Sequence, residues 1–208
     1  MFLRMCFTAG VVICLACLPA QSGARRTSHH PVADQITTAA IDVATRAIET
    51  RLSRVPADGQ IEIAFAPMPQ RSAERLVIKL IDAAQTSLFM AAYEMTSKPI
   101  ADALCGAAGR GVAVSAVLDN KSNPHGEGRS KRDYMLACGI AVKTDSRYAI
   151  MHDKFIVVDG RHVETGSFNY TFAAAQRNAE NAIVVWNNAG MAEKYASEFE
   201  RLFAEAAD

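Results

Sequence analysis

The chain has 208 residues, half of them apolar, which is enough to bury the core of one globular domain. Its 22 Lys and Arg residues balance 22 Asp and Glu residues. This balance excludes a chain-wide basic field that would attract polyanions, so any site for a polyanion must be local.

Residues 1–24 have the pattern of a secretory signal peptide. Arg4 precedes a short apolar run, and small residues follow it. Cleavage after Ala20 and cleavage after Ala24 fit the pattern equally. The apolar run is too short to cross a bilayer comfortably, so a retained membrane anchor is the lesser alternative. We therefore expect a periplasmic or secreted protein.

Residues 25–58 are predicted to form an N-terminal linker and helix ahead of a catalytic domain at 59–208. The linker is polar, and from 34 to 55 apolar residues recur with the spacing of an amphipathic helix. A Pro- and Gly-containing turn at 56–59 ends this segment. The sequence leaves open whether the helix packs on the domain or on a partner subunit.

Strands and helices alternate in the first half of the predicted domain. Strands are expected at 61–65, 87–93, 112–118 and 140–143, and helices at 72–85, 97–109 and 131–138. The continuous apolar run at 112–118 is typical of a strand covered on both faces. The alternation predicts an α/β fold, with a mixed, mostly parallel sheet flanked by helices on both faces. A further strand at 182–186 and a helix at 191–207 complete it.

The cysteines divide between the leader and the domain. Cys6, Cys14 and Cys17 lie in the leader, where lipidation of Cys17 fits only weakly. Cys105 and Cys138 each lie near the end of a predicted helix. In an exported protein this pair could form a disulfide, and two buried free thiols are an equal alternative. No group of Cys and His residues has the spacing of a zinc site.

The loop at 120–130 is the longest polar loop of the domain. It and the residues after it are locally basic through Lys121, His125, Arg129, Lys131 and Arg132. Such a loop could contact extra phosphates of a substrate. A solvated surface loop is an equal alternative, because loops carry these residues anyway.

The segment 152–181 carries the chemistry. It opens on His152-x-Lys154, and Asp159-Gly160 then marks a hairpin turn. Because residues two apart on a strand share a face, we expect the imidazole and the ammonium at one surface. The turn formed by Gly166, Ser167 and Asn169 can add a hydroxyl, an amide and close backbone approach.

These groups suit a phosphate diester. Lysine and asparagine can hold the non-bridging oxygens, while an unprotonated histidine can attack phosphorus or move a proton. A histidine nucleophile also needs an acceptor for its second ring nitrogen. Glu180 is the first candidate for this acceptor and Glu164 the second. His152-x-Lys154 alone is also typical of an ordinary half-exposed strand.

The full pattern is more specific. His-x-Lys-x4-Asp followed by Gly-Ser-x-Asn resembles the signature of the phospholipase D superfamily, and Asn178-x-Glu180-Asn181 resembles its small bacterial Nuc-type endonucleases. The resemblance covers about residues 60–206 and implies the phospholipase D/nuclease fold, with one motif per chain.

The resemblance also assigns roles. His152 would be the nucleophile that becomes phosphohistidine, and Glu180 would orient it. Lys154 and Asn169 would bind phosphate, with Ser167 in support. Asp159 belongs to the signature with Gly166, but it would have a structural role away from the phosphate. No cofactor and no metal is implied.

The chemistry requires two histidines, and the chain contains one His-x-Lys. A two-fold homodimer that places two copies of His152 side by side would complete a shared active site. The expected activity is metal-independent phosphodiester hydrolysis, by an exported endonuclease on DNA or RNA. A phospholipase D that releases phospholipid headgroups is the first alternative, and a non-catalytic phosphate- or nucleic-acid-binding module is the second.

Overall fold

The computed structural model describes residues 59–68, 72–126 and 128–207, which contain seven strands and five helices. The strands are β1 (Ile61–Ala66), β2 (Ser87–Ala92), β3 (Ala113–Asp119), β4 (Ala141–Asp145), β5 (Lys154–Val158), β6 (His162–Gly166) and β7 (Glu180–Val185). The helices are α1 (Ser72–Asp82), α2 (Lys98–Gly109), α3 (Arg132–Ala137), α4 (Phe172–Gln176) and α5 (Ala189–Glu205). The predicted signal peptide, linker and N-terminal helix lie outside the described residues.

The strands form one sheet in the order β1-β7-β6-β5-β2-β3-β4. The α/β class with a mixed sheet is confirmed, but the prediction of a mostly parallel sheet is wrong. Only β2, β3 and β4 pair in parallel, and the other four pairings are antiparallel. The cause is the length of the connections, because helical crossovers join β2 to β3 and β3 to β4, whereas a tight turn joins β5 to β6.

Helices cover both faces of the sheet, as predicted. The strands alternate between two apolar cores: Leu88 and Met90 of β2 belong to the larger one, which lies under α1 and α2, and Ala91 belongs to the smaller one. The helix α5 covers the smaller core with Phe199 and Leu202.

Local signals define several element ends. Ser97 accepts a hydrogen bond from the Ile100 amide and so caps the N-terminus of α2. At the predicted hairpin, Asp159 and Gly160 have φ values of 51° and 61°. Two consecutive residues with positive φ form the tight turn whose twist matches that of the flanking strands.

The edge strand β1 carries an exposed apolar row on one face. Ile61, Ile63 and Phe65 are 60%, 58% and 57% exposed. The intervening residues face α1, where Glu62 forms an ion pair with Lys79 at 2.7 Å. The row therefore lies on the opposite face of the sheet, the face that α5 covers elsewhere.

Cys105 of α2 and Cys138, directly after α3, form a disulfide. Of the two alternatives left open by the sequence, the structure contains the disulfide. Among the described helices, none combines the length and the apolar character that a membrane span requires.

Candidate active site

Strand pairing brings the predicted site residues to one edge of the sheet. Lys154 opens β5, Gly166 ends β6 and Glu180 opens β7, and these strands run antiparallel as neighbours. The same edge receives the ends of β1 and β2, because Ala66 pairs with Glu180 and Ala92 with Lys154. We call this edge the catalytic edge.

His152 lies just outside the sheet. The strand β5 begins at Lys154, so the predicted placement of His152 on this strand is wrong, although both side chains contact the Tyr93 ring and therefore lie at one surface as expected. The two residues are nevertheless joined, because the Lys154 ammonium donates to the His152 carbonyl oxygen at 2.7 Å. The His152 imidazole is exposed and contacts the Tyr93 ring, with the two ring centroids 4.7 Å apart.

Lys154 is buried, with its Nζ 5.5 Å from the centroid of the Tyr93 ring. Burial lowers the pKa of the Lys154 ammonium below its usual value, while the charges of Asp153 and Glu180 oppose this shift. The ammonium makes one hydrogen bond within the described residues, so it retains donors for an anion.

The turn after β6 is tied to the start of β7. The Ser167 hydroxyl donates to Glu180 Oε2 at 2.6 Å, and its oxygen accepts from the Asn181 amide at 3.1 Å. The Ser167 amide donates to Asn181 Oδ1 at 2.8 Å. Gly166 permits this contact, because a Cβ on it would lie 2.3 Å from the Asn181 carbonyl oxygen.

Asn169 follows the turn that is tied to the start of β7. Its Oδ1 is buried without a hydrogen-bond partner among the described residues. Buried polar atoms of this kind are uncommon in folded proteins and often belong to functional sites. Asn169 lies two residues after Ser167, where its amide group could donate to a phosphate oxygen.

Neither candidate acceptor is bonded to His152. Glu180 is held by Ser167 and by the Asn178 side-chain amide at 3.1 Å, and no hydrogen bond joins it to His152 within the described part of the chain. Glu164 lies in the core, where it accepts from the Tyr170 hydroxyl at 2.6 Å. Burial raises the pKa of Glu164 to about 8, against the opposing effect of this hydrogen bond.

Asp159 directly follows β5, at the end of the strand opposite Lys154. At the usual rise per strand residue it lies about 17 Å from Lys154. Its carboxylate accepts hydrogen bonds from the amides of Gln85, Thr86 and Ser87 and from the Thr86 hydroxyl. Burial tends to raise the pKa of Asp159, but these hydrogen bonds outweigh it and hold the pKa below its usual value. These contacts tie the hairpin to the start of β2.

The contact of Tyr93 with both His152 and Lys154 was not predicted. The available signal was its position at the end of a predicted strand, where side chains of α/β folds reach a binding crevice. Asn123 of the 120–130 loop holds the backbone next to the Tyr93 side chain. Its side chain donates to the Tyr93 carbonyl oxygen at 2.8 Å and accepts from the Met95 amide at 3.0 Å.

The described residues contain no group of three or more His, Cys, Asp or Glu side chains placed to hold a metal ion. Beside the Glu180 carboxylate, the catalytic edge carries the Lys154 ammonium and the His152 imidazole, and these groups suit an anionic substrate.

A family model described as "Cardiolipin synthase, PLD-like domain" matches residues 77–203. The chain is 39% identical over 127 residues to a phospholipase D of Rickettsia bellii, which is 61% of this chain and 62% of that protein. It is 35% identical over 164 residues to the mitochondrial cardiolipin hydrolase of Xenopus laevis, covering 70% of this chain and 71% of that protein.

Among solved structures, the chain resembles Nuc, a phospholipase D family member from Salmonella typhimurium. The two are 39% identical with a TM-score of 0.68, covering 73% of this chain and 98% of Nuc. NucT from Helicobacter pylori shares the fold, with a TM-score of 0.66 at 24% identity.

These matches define the class of protein. The chain belongs to the phospholipase D superfamily and contains a PLD-like domain at residues 77–203. Within the superfamily it is similar to Nuc over nearly the whole length of that protein, whereas the match with the Rickettsia phospholipase D covers less than two thirds of the relative.

Proposed function

We propose that this protein is a metal-independent phosphodiester hydrolase that acts through a phosphohistidine intermediate on DNA or RNA. The observation that carries the proposal is the catalytic edge, where an exposed imidazole lies beside a buried ammonium, a hydroxyl and an amide. The similarity to Nuc over 98% of its length supports a nuclease.

The proposed reaction has two displacements. An unprotonated ring nitrogen of His152 attacks phosphorus, the bond from phosphorus to the leaving oxygen breaks, and the imidazolium of a second His152 gives that oxygen its proton. The second imidazole then takes a proton from water, whose oxygen attacks phosphorus and breaks the phosphorus–nitrogen bond. Lys154 and Asn169 stabilise the charge on the phosphoryl oxygens, and Ser167 supports them.

Glu180 contributes to this site through two contacts. It holds Ser167 in place and opposes the burial-induced fall in the pKa of Lys154, which favours the charged ammonium. Its predicted bond to His152 requires movement of the imidazole or of the carboxylate, which substrate or a second subunit would have to bring about.

The second His152 is proposed to come from a second copy of the chain. The exposed row of β1 supports this, because it ends at the catalytic edge, where Phe65 pairs with Asn181 and Ala66 with Glu180. A two-fold contact over this row would bury apolar surface and bring two catalytic edges together.

A mixing experiment tests the shared site. Wild-type protein is mixed with increasing amounts of the His152→Ala variant at constant total concentration, with time allowed for subunits to exchange. If each reaction needs two copies of His152, activity falls with the square of the wild-type fraction. A linear fall would contradict the shared site, and mass measurement by light scattering reports the dimer independently.

Phospholipid cleavage is the second candidate. The relatives named phospholipase D and cardiolipin hydrolase favour it, and so do the exposed side chains of Met68, Ile150 and Phe172 in segments near the catalytic edge. Plasmid DNA, RNA, phosphatidylcholine and cardiolipin should be assayed side by side in EDTA.

The proposal predicts cleavage of nucleic acid by the wild type in EDTA and none by His152→Ala. Turnover by that variant would refute the covalent mechanism. Cleavage of phospholipid but not of nucleic acid would show that the substrate is a lipid. Binding of nucleic acid without cleavage would favour the non-catalytic module. Export to the periplasm or medium remains part of the proposal, and cell fractionation tests it.

A further inference from the structure

An open cavity of about 370 Å³ lies on the edge strand β4, away from the residues of the catalytic edge. Its walls come from the 120–130 loop, α3, β4 and the end of α5. Apolar and basic side chains line it: His125, Arg132, Leu136, Val142, Lys143 and Phe203. We call this the β4-edge cavity.

Arg132 is the unusual member. The residue is only 6% exposed, and its Nε has no hydrogen-bond partner among the described residues. A buried guanidinium is costly unless an anion or a set of acceptors accompanies it. Since Arg132 lines an open cavity between apolar walls, an anion entering the cavity would meet a cation that water screens poorly.

The other basic groups of the cavity are positioned by neighbours. His125 forms an ion pair with Asp133, with 3.0 Å between Nδ1 and Oδ1. The Lys143 ammonium lies 4.8 Å from the centroid of the Phe203 ring. Lys143 adds local positive charge at the rim, and the Asp133 carboxylate reduces it on the His125 side. Arg132 is therefore the group on which anion binding depends.

We propose that the β4-edge cavity is a secondary phosphate subsite, which binds a backbone phosphate of a nucleic-acid strand whose cleaved diester lies at the catalytic edge. This inference rests on the proposed nuclease function. The 120–130 loop connects the two places, because Asn123 is bonded to the Tyr93 carbonyl oxygen while His125 lines the cavity. A polymer with a phosphate at every unit can occupy both sites at once, whereas a lipid with a single diester cannot.

The test measures binding separately from cleavage. The Kd of a fluorescent single-stranded DNA oligonucleotide is measured by anisotropy in the His152→Ala background, with and without Arg132→Gln, over a series of salt concentrations. Loss of one charge-assisted contact should raise the Kd roughly tenfold. It should also reduce the slope of log Kd against log salt by about 0.7, the value for one phosphate contact on a single strand.

A second pair of variants avoids dependence on the buried arginine. Leu136 is 37% exposed at the cavity, so Leu136→Glu and its matched control Leu136→Gln are expected to fold. The added carboxylate should weaken oligonucleotide binding severalfold relative to the amide. If Arg132→Gln fails to fold, this pair decides the question.

The remaining outcomes are distinguishable. With wild-type His152, the Arg132 and Leu136 variants should hydrolyse bis(p-nitrophenyl) phosphate at the unmodified rate, because this small diester reaches only the catalytic edge. Unchanged oligonucleotide affinity and salt slope in all variants would overturn the subsite, as would equal losses on both substrates. Binding that depends on Arg132 in a protein that cleaves no nucleic acid would instead reject the proposed function and retain the subsite.

Discussion

The buried pair of Glu164 and Tyr170 predicts a distinctive dependence of stability on pH. Glu164 is fully buried in the core, and its one hydrogen bond within the described residues comes from the Tyr170 hydroxyl. Burial raises its pKa from 4.5 to about 8. The folded protein therefore holds a proton on Glu164 that the unfolded chain releases above about pH 4.5.

The sign and size of the effect follow from this difference. Because the folded state binds more protons, the contribution is full below pH 4.5 and is lost as the pH rises through about 8. At about 1.4 kcal/mol per pKa unit, raising the pH from 5 to 8 should cost about 3–4 kcal/mol. The Glu164→Gln variant cannot ionise, so its stability should lack this loss.

Urea unfolding followed by the fluorescence of Trp186, the single tryptophan of the chain and a core residue, measures both proteins at each pH. All other titrating groups are common to the two proteins, so the difference between the two profiles isolates Glu164. Parallel profiles from pH 5 to 8 would show that Glu164 ionises in the folded protein at an ordinary pKa, and the reasoning from burial would be refuted.

Three further predictions concern the scaffold around the site. Asp159→Ala should lower the free energy of unfolding by about 1–3 kcal/mol, because four donors lose their acceptor; chemical denaturation measures this, and an unchanged midpoint would contradict it. Gly166→Ala should reduce both the melting temperature and DNA cleavage, because the new Cβ meets the Asn181 carbonyl oxygen; full activity at the normal melting temperature would show that the turn can shift freely. Replacing Cys105 and Cys138 together by Ala should cost about 3–4 kcal/mol, given their separation of 33 residues, and a reductant should destabilise the wild type but leave the double variant unaffected.

Features fixed by neighbours in the chain were predictable from the sequence. Asp159-Gly160 specifies its hairpin because only a few residue types tolerate positive φ, and Ser97 specifies a helix start through its own hydroxyl. The motif residues of 152–181 were recognisable because their spacing is local. Most of them meet at one sheet edge, as the antiparallel pairing of β5, β6 and β7 requires.

Features set by tertiary pairing were not predictable in the same way. The order of the sheet, with β5 beside β2 and β1 beside β7, depends on contacts between distant segments, and it makes most pairings antiparallel. For the same reason the sequence suggested Glu164 as a partner of His152, whereas its place on β6 directs it into the core with Tyr170. The contact between Tyr93 and His152 likewise depends on the pairing of β2 with β5.

The local origin of the catalytic edge has a consequence for the order in which the chain folds. The strands β5, β6 and β7 are close in sequence, with a tight turn between β5 and β6 and only the short helix α4 between β6 and β7, so their pairing closes short loops, whereas β1 must find β7 across most of the domain. We expect pulsed hydrogen exchange during refolding to protect the amides of β5 and β6 before those of β1. The exposed row on β1 would then form only after the segment 152–181 has folded. Partly folded chains would therefore not associate into dimers through this row.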